Sequence, residues 1–372
     1  MSKTKFSAAF IESIIQNANH YYIQNTDEDR FGSENLGWRG RLKRLLGHLI
    51  VEKGGKFFRQ GANSSEIEKL GSVMSDLEEV YGMLGDEMSR NCLVQVMTYR
   101  VLGSSRFKFP ENSRNYWLKR RSLDGLISKQ DKIKNKASSL SFELSFFDLE
   151  PIGYPIKLYN TRLGIHLIYI TKQYSYTFGN AAVCAEKGDV VIDLGGCFGD
   201  TALYFANEVG SAGRVMVYEF IPSNIEVMLK NLELNPLIKE RVEIIEFAAW
   251  SSSGLTLYGD DNGPGSYVSF DKKEGLTVEV ETLSIDDMVR QRKLERVDFI
   301  KADIEGAELQ ALRGAEDVLR TYKPKLAIAL YHRLEDFAEI PKYIASLNLG
   351  YKMYMRHCSV YGEETMLYAT TK

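Results

Sequence analysis

The chain lacks any run of the roughly 18–20 apolar residues that a bilayer-spanning helix needs. Its first residues, Met1-Ser-Lys-Thr-Lys-Phe-Ser7, also lack the long apolar core of a secretory signal, so a cytoplasmic location is expected. It has only four cysteines, Cys92, Cys184, Cys197 and Cys358, widely scattered and without a Cys-x-x-Cys pair. That pattern excludes a zinc knuckle and a disulfide framework and leaves reduced thiols. The formal net charge is −3, so no overall excess of one sign points to a polyanionic partner. There is no Walker phosphate loop and no Gly-x-Ser-x-Gly elbow, which removes the parts of phosphotransferases and serine hydrolases. No Asn-Pro-Pro-Tyr or Asp-Pro-Pro-Tyr segment holds a base amino group, and no cysteine follows a proline as a pyrimidine-directed nucleophile.

What is present is an ordinary globular composition, 44% hydrophobic and 26% charged, over 372 residues. One large or two ordinary domains are expected. Residues 1–105 read as helical. Phe10, Ile11, Ile14 and Ile15 form one apolar stripe, and Leu42, Leu45, Leu46 and Leu49 form another. A helix opens at Ser64, and Asp86 caps the next, which stops at Gly103. Between Arg106 and Lys136 stand ten basic residues against three acidic ones, a local charge of +7, with Tyr116 and Trp117 inside. This segment reads as a solvated linker between domains or as a phosphate-binding surface. The expected division is a helical N-terminal domain over 1–140, including a basic linker over 106–136, and a second domain over 141–372. Phe142–Leu149, Tyr154–Tyr159 and Gly164–Ile170 read as strands. Tyr174, Tyr176 and Phe178 follow, as cleft aromatics or as core.

From Val190 onward, strands alternate with helical stretches, the pattern of a parallel sheet covered on both faces. The strands are Val190–Leu194, Arg214–Phe220, Val242–Trp250, Val297–Asp303 and Lys325–His332, closed by a hairpin of Tyr351–Arg356 and Met366–Thr371. Short segments near Gly254, Ser266 and Leu276 read as an antiparallel insertion, and Gly306–Arg320 as one helix.

The run Val190-Val-Ile-Asp-Leu-Gly-Gly-Cys-Phe-Gly-Asp-Thr201 is a buried strand turning through glycines into a helix. Gly195, Gly196 and Gly199 allow a sharp bend and a close ligand approach. The next strand ends in Glu219, a carboxylate suited to a ribose diol. A dinucleotide fingerprint would place a pyrophosphate on the helix N-terminus. Here Asp200 occupies that position and would repel it, so a cationic adenosyl ligand such as S-adenosylmethionine fits better. Cys197 reads as a small filler beside the ligand rather than a nucleophile. Lys301-Ala-Asp-Ile-Glu-Gly-Ala-Glu308 puts three acids within six residues at a strand end, where open α/β sheets bind ligands. A metal held by Asp303 and Glu305 finds no further ligand cluster in the sequence, so none is assigned and metal dependence is left open. His332 ends an apolar strand, and its ordinary pKa suits a general base as well as a structural role.

These residues resemble the FkbM-type S-adenosylmethionine-dependent methyltransferases. The similarity is carried by Val191–Thr201, Val217-Tyr-Glu-Phe-Ile-Pro-Ser-Asn224 and Phe247-Ala-Ala-Trp250. It is carried further by Ile300–Leu309, Leu312-Arg-Gly-Ala315 and Tyr331-His332 ahead of Leu334-Glu-Asp-Phe337. The segments around Tyr81–Arg90 and Tyr99–Gly103 are similar to N-terminal extensions of some bacterial members. The resemblance implies an α/β, class I methyltransferase Rossmann-like seven-stranded sheet, parallel with an antiparallel C-terminal strand, behind a mainly helical N-terminal part. It implies methyl transfer from S-adenosylmethionine to a hydroxyl of a sugar, glycan or related natural product. Asp193, Gly195, Gly196, Gly199, Thr201, Glu219, Phe220, Ser223, Ala248 and Asp303 are the implied cofactor residues. His332, Asp303 and Glu305 are the implied catalytic set, and Tyr174, Tyr176 and His332 the acceptor set. Cys197 departs from the asparagine that the family often has there. Open alternatives are an RNA or other nucleic-acid methyltransferase using the basic segment, and a non-catalytic adenosyl-binding scaffold. Self-association is left open.

Overall fold

The computed structural model describes residues 5–22, 25, 64–135, 143–179 and 181–372. The stripe Leu42, Leu45, Leu46 and Leu49 lies outside the described residues, as do Lys136 and Phe142. The described N-terminal helices are α1 (Phe6–Asn17), α2 (Ser64–Met83), α3 (Glu87–Leu102) and α4 (Arg114–Ser122). Asp86 caps α3 by accepting from Ser89 N at 2.8 Å, and Gly103, at φ 71°, ends it. On α1 the expected apolar stripe divides. Phe10 is buried, whereas Ile11 and Ile15 are exposed.

The central sheet has strands β1 (Val190–Leu194), β2 (Arg214–Tyr218), β3 (Val242–Ile245), β4 (Phe299–Ala302), β5 (Lys325–Ala329), β6 (Lys352–His357) and β7 (Thr365–Thr370). Their order is β3-β2-β1-β4-β5-β7-β6. β1 to β5 run parallel, and β7 lies antiparallel to both of its neighbours. Every residue of β4, β5 and β7 is buried, as expected of strands covered on both faces. Side chains alternate between two cores. Ile192, Leu194, Ile300 and Ile328 pack with Phe6, Leu77 and Leu93 from the N-terminal helices. Val191, Phe299 and Ala327 pack with Phe205 and Met228 from α5 (Asp200–Val209) and α6 (Pro222–Glu233). The N-terminal helices therefore share a core with the sheet. Their α2–α3 corner also bonds to β6, through Gly85 N to Met353 O (2.8 Å) and Met355 N to Ser89 Oγ (2.9 Å).

Four sequence expectations change. The basic segment is not a solvated linker: it folds as α4 and as strand Ile127–Lys134 of an antiparallel ribbon with Glu143–Asp148 and Lys157–Asn160. Tyr116 and Arg120 are buried in it. Gly164–Ile170 is helical rather than extended, because Thr161 Oγ1 caps Gly164 N at 3.0 Å and starts a turn that continues as a π-helix over His166–Ile170. A short buried apolar run carries the same signal for strand and helix. The third strand stops at Ile245. Gly306–Arg320 is two helices, α7 (Glu308–Arg313) and α8 (Glu316–Tyr322). They break at Gly314, where a Cβ would lie 2.0 Å from Trp250 O. The insertion is antiparallel as expected: Thr256–Gly259 pairs with Val268–Ser269 and Val278–Glu281.

An amide of α6 helps fasten the ribbon, alongside Asn235 just after the helix, which bonds Lys157 N at 2.9 Å. Asn231, fully buried, accepts from Tyr159 N (2.7 Å) and donates to Tyr159 O (3.0 Å) and Phe198 O (2.8 Å). Asn231→Ala leaves these three backbone groups without their partner and should cost about 3 kcal/mol. A drop in the urea midpoint checks this, and an unchanged midpoint would mean that other contacts hold the ribbon.

Candidate active site

The polar residues flagged in sequence converge at the carboxyl ends of β1, β2, β4 and β5. At the centre, Lys301 of β4 is buried and reaches Asp193 Oδ1 of β1 at 3.0 Å. Its ammonium also donates to Leu194 O (2.9 Å) and Gly195 O (2.7 Å), and Thr201 donates to Asp193 Oδ2 at 2.6 Å. Burial opposes the charge on Lys301, but Asp193 and Asp303 outweigh it and raise its pKa. Asp193 and Thr201 therefore brace the glycine turn from below.

The three glycines divide by task. A Cβ on Gly195, at φ 83°, would lie 2.2 Å from Asp303 O, so the β1 and β4 loops touch there. Cβ atoms on Gly196 and Gly199 would strike Val217 and Met228, so these two serve packing against β2 and α6. Cys197 adopts φ 43°, a conformation that asparagine accepts more readily than cysteine. Burial pushes its thiol well above the usual range, which removes it as a nucleophile.

Glu219 is held on four sides. Its Oε1 accepts from Phe220 N and Ile221 N, both at 2.8 Å, and its Oε2 from Cys197 N at 2.8 Å and Asn224 Nδ2 at 3.3 Å. Burial raises its pKa to about 6, with these bonds pulling the other way. The Asn224 bond is the longest, hence the one most readily exchanged for a hydroxyl donor. Glu219, Phe220, Asn224 and Ala248 line a narrow cavity of about 80 Å³, covered by Pro264 and Val268 of the insertion. Ser223 is not among its lining residues; it donates to Asp261 instead.

A second cavity, of about 360 Å³, lies on the other side of Gly195 and Cys197. Its wall includes Asn160, Tyr174, Asp200, Asp303 and Tyr331. Tyr174 and Tyr331 donate to the two oxygens of Asp303 at 2.9 and 2.8 Å. Tyr176 does not join them. It is buried in the core, donates to Asp86 and stacks on Tyr354, so its expected acceptor role is withdrawn.

His332 meets three carboxylates. Nδ1 lies 2.8 Å from Glu308 Oε1, and Nε2 lies 3.5 Å from Asp303 and 3.6 Å from Glu305. Burial works against the imidazolium, but Glu305, Glu308 and Asp303 raise the pKa to about 11. At neutral pH the ring is already protonated, so His332 is unavailable as the general base that its ordinary pKa suggested. Glu305 sits at φ 54° on the wall of both cavities, and burial raises its pKa. Sequence reasoning missed Asn224, Glu308 and Tyr331 as site residues. All three stand inside motifs already quoted, but no spacing rule shows that they turn inward.

Residues 193–353 match the methyltransferase FkbM domain. Over that stretch the chain is similar to FkbM-type methyltransferases. Methyltransferase sdnD of Sordaria araneosa is 27% identical over 158 residues, which is 34% of this chain and 60% of that protein. The crystal structure of methyltransferase FkbM from Methylobacillus flagellatus KT aligns with a TM-score of 0.50 at 19% identity, over 81% of this chain and 60% of that one. Both relatives are thus covered over 60% of their length, and the structural likeness speaks for the fold. S-adenosylmethionine is the cofactor of FkbM domains, and the residues here suit it. The Gly195 cradle admits no side chain, Glu219 faces a cavity at the β2 end, and Asp200, Asp303 and Glu305 suit a cation.

A ribose hydroxyl donating to Glu219 would favour the ionised carboxylate. In the free chain this group is protonated below about pH 6. Affinity for S-adenosylhomocysteine should be level above pH 6 and weaken by up to about tenfold per pH unit below it. Calorimetric titration between pH 5 and 8 measures this, and Glu219→Ala should bind weakly throughout and lose the slope.

Proposed function

We propose that this chain is an S-adenosylmethionine-dependent O-methyltransferase that methylates a hydroxyl of a sugar, glycan or related natural product. One observation carries the proposal. The narrow cavity beside Glu219 and the larger one beside Tyr174 share Gly195, Cys197, Pro264, Asp303 and Glu305. A donor in the first and an acceptor in the second would meet at the two carboxylates. Bound S-adenosylmethionine supplies an electrophilic methyl carbon on a sulfonium.

The chain's task is then alignment and proton removal. Asp303, fixed by two tyrosyl hydroxyls, orients the acceptor. Glu305 takes the hydroxyl proton, and its raised pKa suits that duty better than a free carboxylate would. His332 acts as a fixed positive charge that keeps neighbouring acids ionised and in place. Charge also favours a polyhydroxyl acceptor over a nucleic acid. The larger cavity carries Asp200, Asp303, Glu305 and Glu364, while its lysine, Lys301, is already paired with Asp193. A phosphate would be repelled there, and hydroxyl donors would be bound. The basic segment that suggested RNA spends part of its charge internally, through buried Arg120 and the Lys132–Glu143 pair.

The test combines binding with turnover on a panel of sugars and glycosides, using methyl-labelled cofactor. S-adenosylhomocysteine should bind, and a sugar hydroxyl should be methylated. Glu305→Gln should lower kcat about 100-fold or more while leaving cofactor affinity nearly unchanged. Absence of S-adenosylhomocysteine binding in a folded chain would sink the proposal. Methylation of RNA that collapses between low and moderate salt would point to the nucleic-acid alternative. Binding without turnover on any acceptor would point to a scaffold.

A further inference from the structure

The two ring nitrogens of His332 have different surroundings. Nδ1 is paired with Glu308 Oε1 at 2.8 Å, which fixes the ring. Nε2, on the opposite edge, lies 3.5 Å from Asp303 and 3.6 Å from Glu305, beyond the 2.7–3.2 Å range of an N–H···O bond. It has no hydrogen-bond partner, although the side chain is only 7% exposed. A buried, unpaired N–H calls for an acceptor atom. The ring lines a cavity together with Glu305 and Tyr331, and those two residues also line the larger cavity beside Tyr174. A group lodged at Nε2 beside Glu305 must accept from the imidazolium and donate to the carboxylate. A hydroxyl does both. An ammonium only donates, and a phosphate or carboxylate only accepts.

Charge sets a second condition. Lys301 faces Asp193, Asp303 and Asp200, and His332 faces Glu305, Glu308 and Asp303. Two cations thus serve five carboxylates. In bound S-adenosylmethionine the ammonium and carboxylate of the methionine part offset each other, and the sulfonium adds one positive charge. Negative charge remains in excess at the acceptor side. Glu364, buried on the wall of the larger cavity, stands there immediately ahead of β7 and apart from the glycine turn. Its Oε2 accepts from Gln173 Nε2 at 2.7 Å, and a carboxylate has room for more than one donor.

We propose that the acceptor is a polyhydroxyl compound carrying an ammonium group, its reacting hydroxyl between His332 Nε2 and Glu305 and its ammonium against Glu364. The assignment rests on the methyltransferase function proposed above. The hydroxyl's proton passes to the Glu305 carboxylate, the oxygen's electron pair forms the bond to the methyl carbon, and the carbon–sulfur pair returns to sulfur. His332 keeps its own proton and steadies the charge that develops on the oxygen. The acceptor's nitrogen, held as an ammonium, has no lone pair with which to compete for the methyl.

The full chain, loaded with S-adenosylhomocysteine, would be titrated calorimetrically with methyl glucoside and methyl galactoside. Each would be offered unmodified, with an amine in place of one hydroxyl, and with that amine acetylated. The aminated form should bind at least about tenfold tighter than either neutral form. In Glu364→Gln that preference should fall at least about tenfold. Affinity for S-adenosylhomocysteine should persist in the variant, which shows that it is folded. With methyl-labelled S-adenosylmethionine, mass spectrometry should find the label on oxygen, and a label on nitrogen would overturn the assignment. Equal, weaker or absent binding of the aminated forms by a chain that holds S-adenosylhomocysteine would overturn the ammonium and leave the methyltransferase proposal standing. A preference that survives intact in Glu364→Gln would overturn the placement at Glu364. A folded chain that does not bind S-adenosylhomocysteine would remove both proposals.

Discussion

One buried ammonium organises the ligand face of this protein. Lys301 sits where β1 and β4 lie side by side, and it binds the Asp193 carboxylate together with the carbonyls of Leu194 and Gly195. Those carbonyls lead into the glycine turn, so the lysine fixes its path. The turn in turn supplies Cys197 N to Glu219 at the end of β2. Contact between Gly195 and the Asp303 carbonyl then sets the spacing of the acids that follow β4. Removing either member of the Lys301–Asp193 pair would strand a charge in a dry interior, a loss on the order of 3–5 kcal/mol. Such a pair contributes specificity more than net stability, because the desolvation of both groups offsets much of their attraction.

The same face concentrates negative charge. Asp200, Asp303 and Glu305 line one cleft, with Glu308 buried against protonated His332 and Lys301 buried beside Asp193. A protein keeps that many acids together only when cations, hydroxyl donors or tyrosines compensate them. Tyr174 and Tyr331 do so for Asp303, and a backbone amide, Ile304 N, does so for Glu308 at 2.8 Å. The remaining demand is what a sulfonium and a polyhydroxyl acceptor would meet. A phosphate backbone would increase it.

The strongest sequence signals were those with a local cause. The strand, turn and helix at Val190–Val209 follow from an apolar run, glycines and an acid. The cap at Asp86 and the stop at Gly103 are equally local. Errors arose where a short apolar stretch fits more than one conformation, as at Gly164–Ile170, or where a distant backbone intervenes, as Trp250 does at Gly314. The basic segment misled because counting charges does not show that Tyr116 and Arg120 turn inward. His332 is the clearest case. Its position at the end of β5 was legible, but its protonation depends on three carboxylates brought to it by β4 and α7.

By itself, the sequence determined the class of fold, the glycine turn, the acid at the end of β2 and the acidic run after β4. These depend on side-chain types a few residues apart, where backbone geometry leaves little choice. Only the tertiary structure decided which acids share a cavity and which tyrosine reaches Asp303. It also decided what each glycine of the turn packs against and whether His332 takes up or already holds a proton. Those outcomes depend on distances between groups remote in the chain, and electrostatic energies in a low-dielectric interior change steeply with such distances.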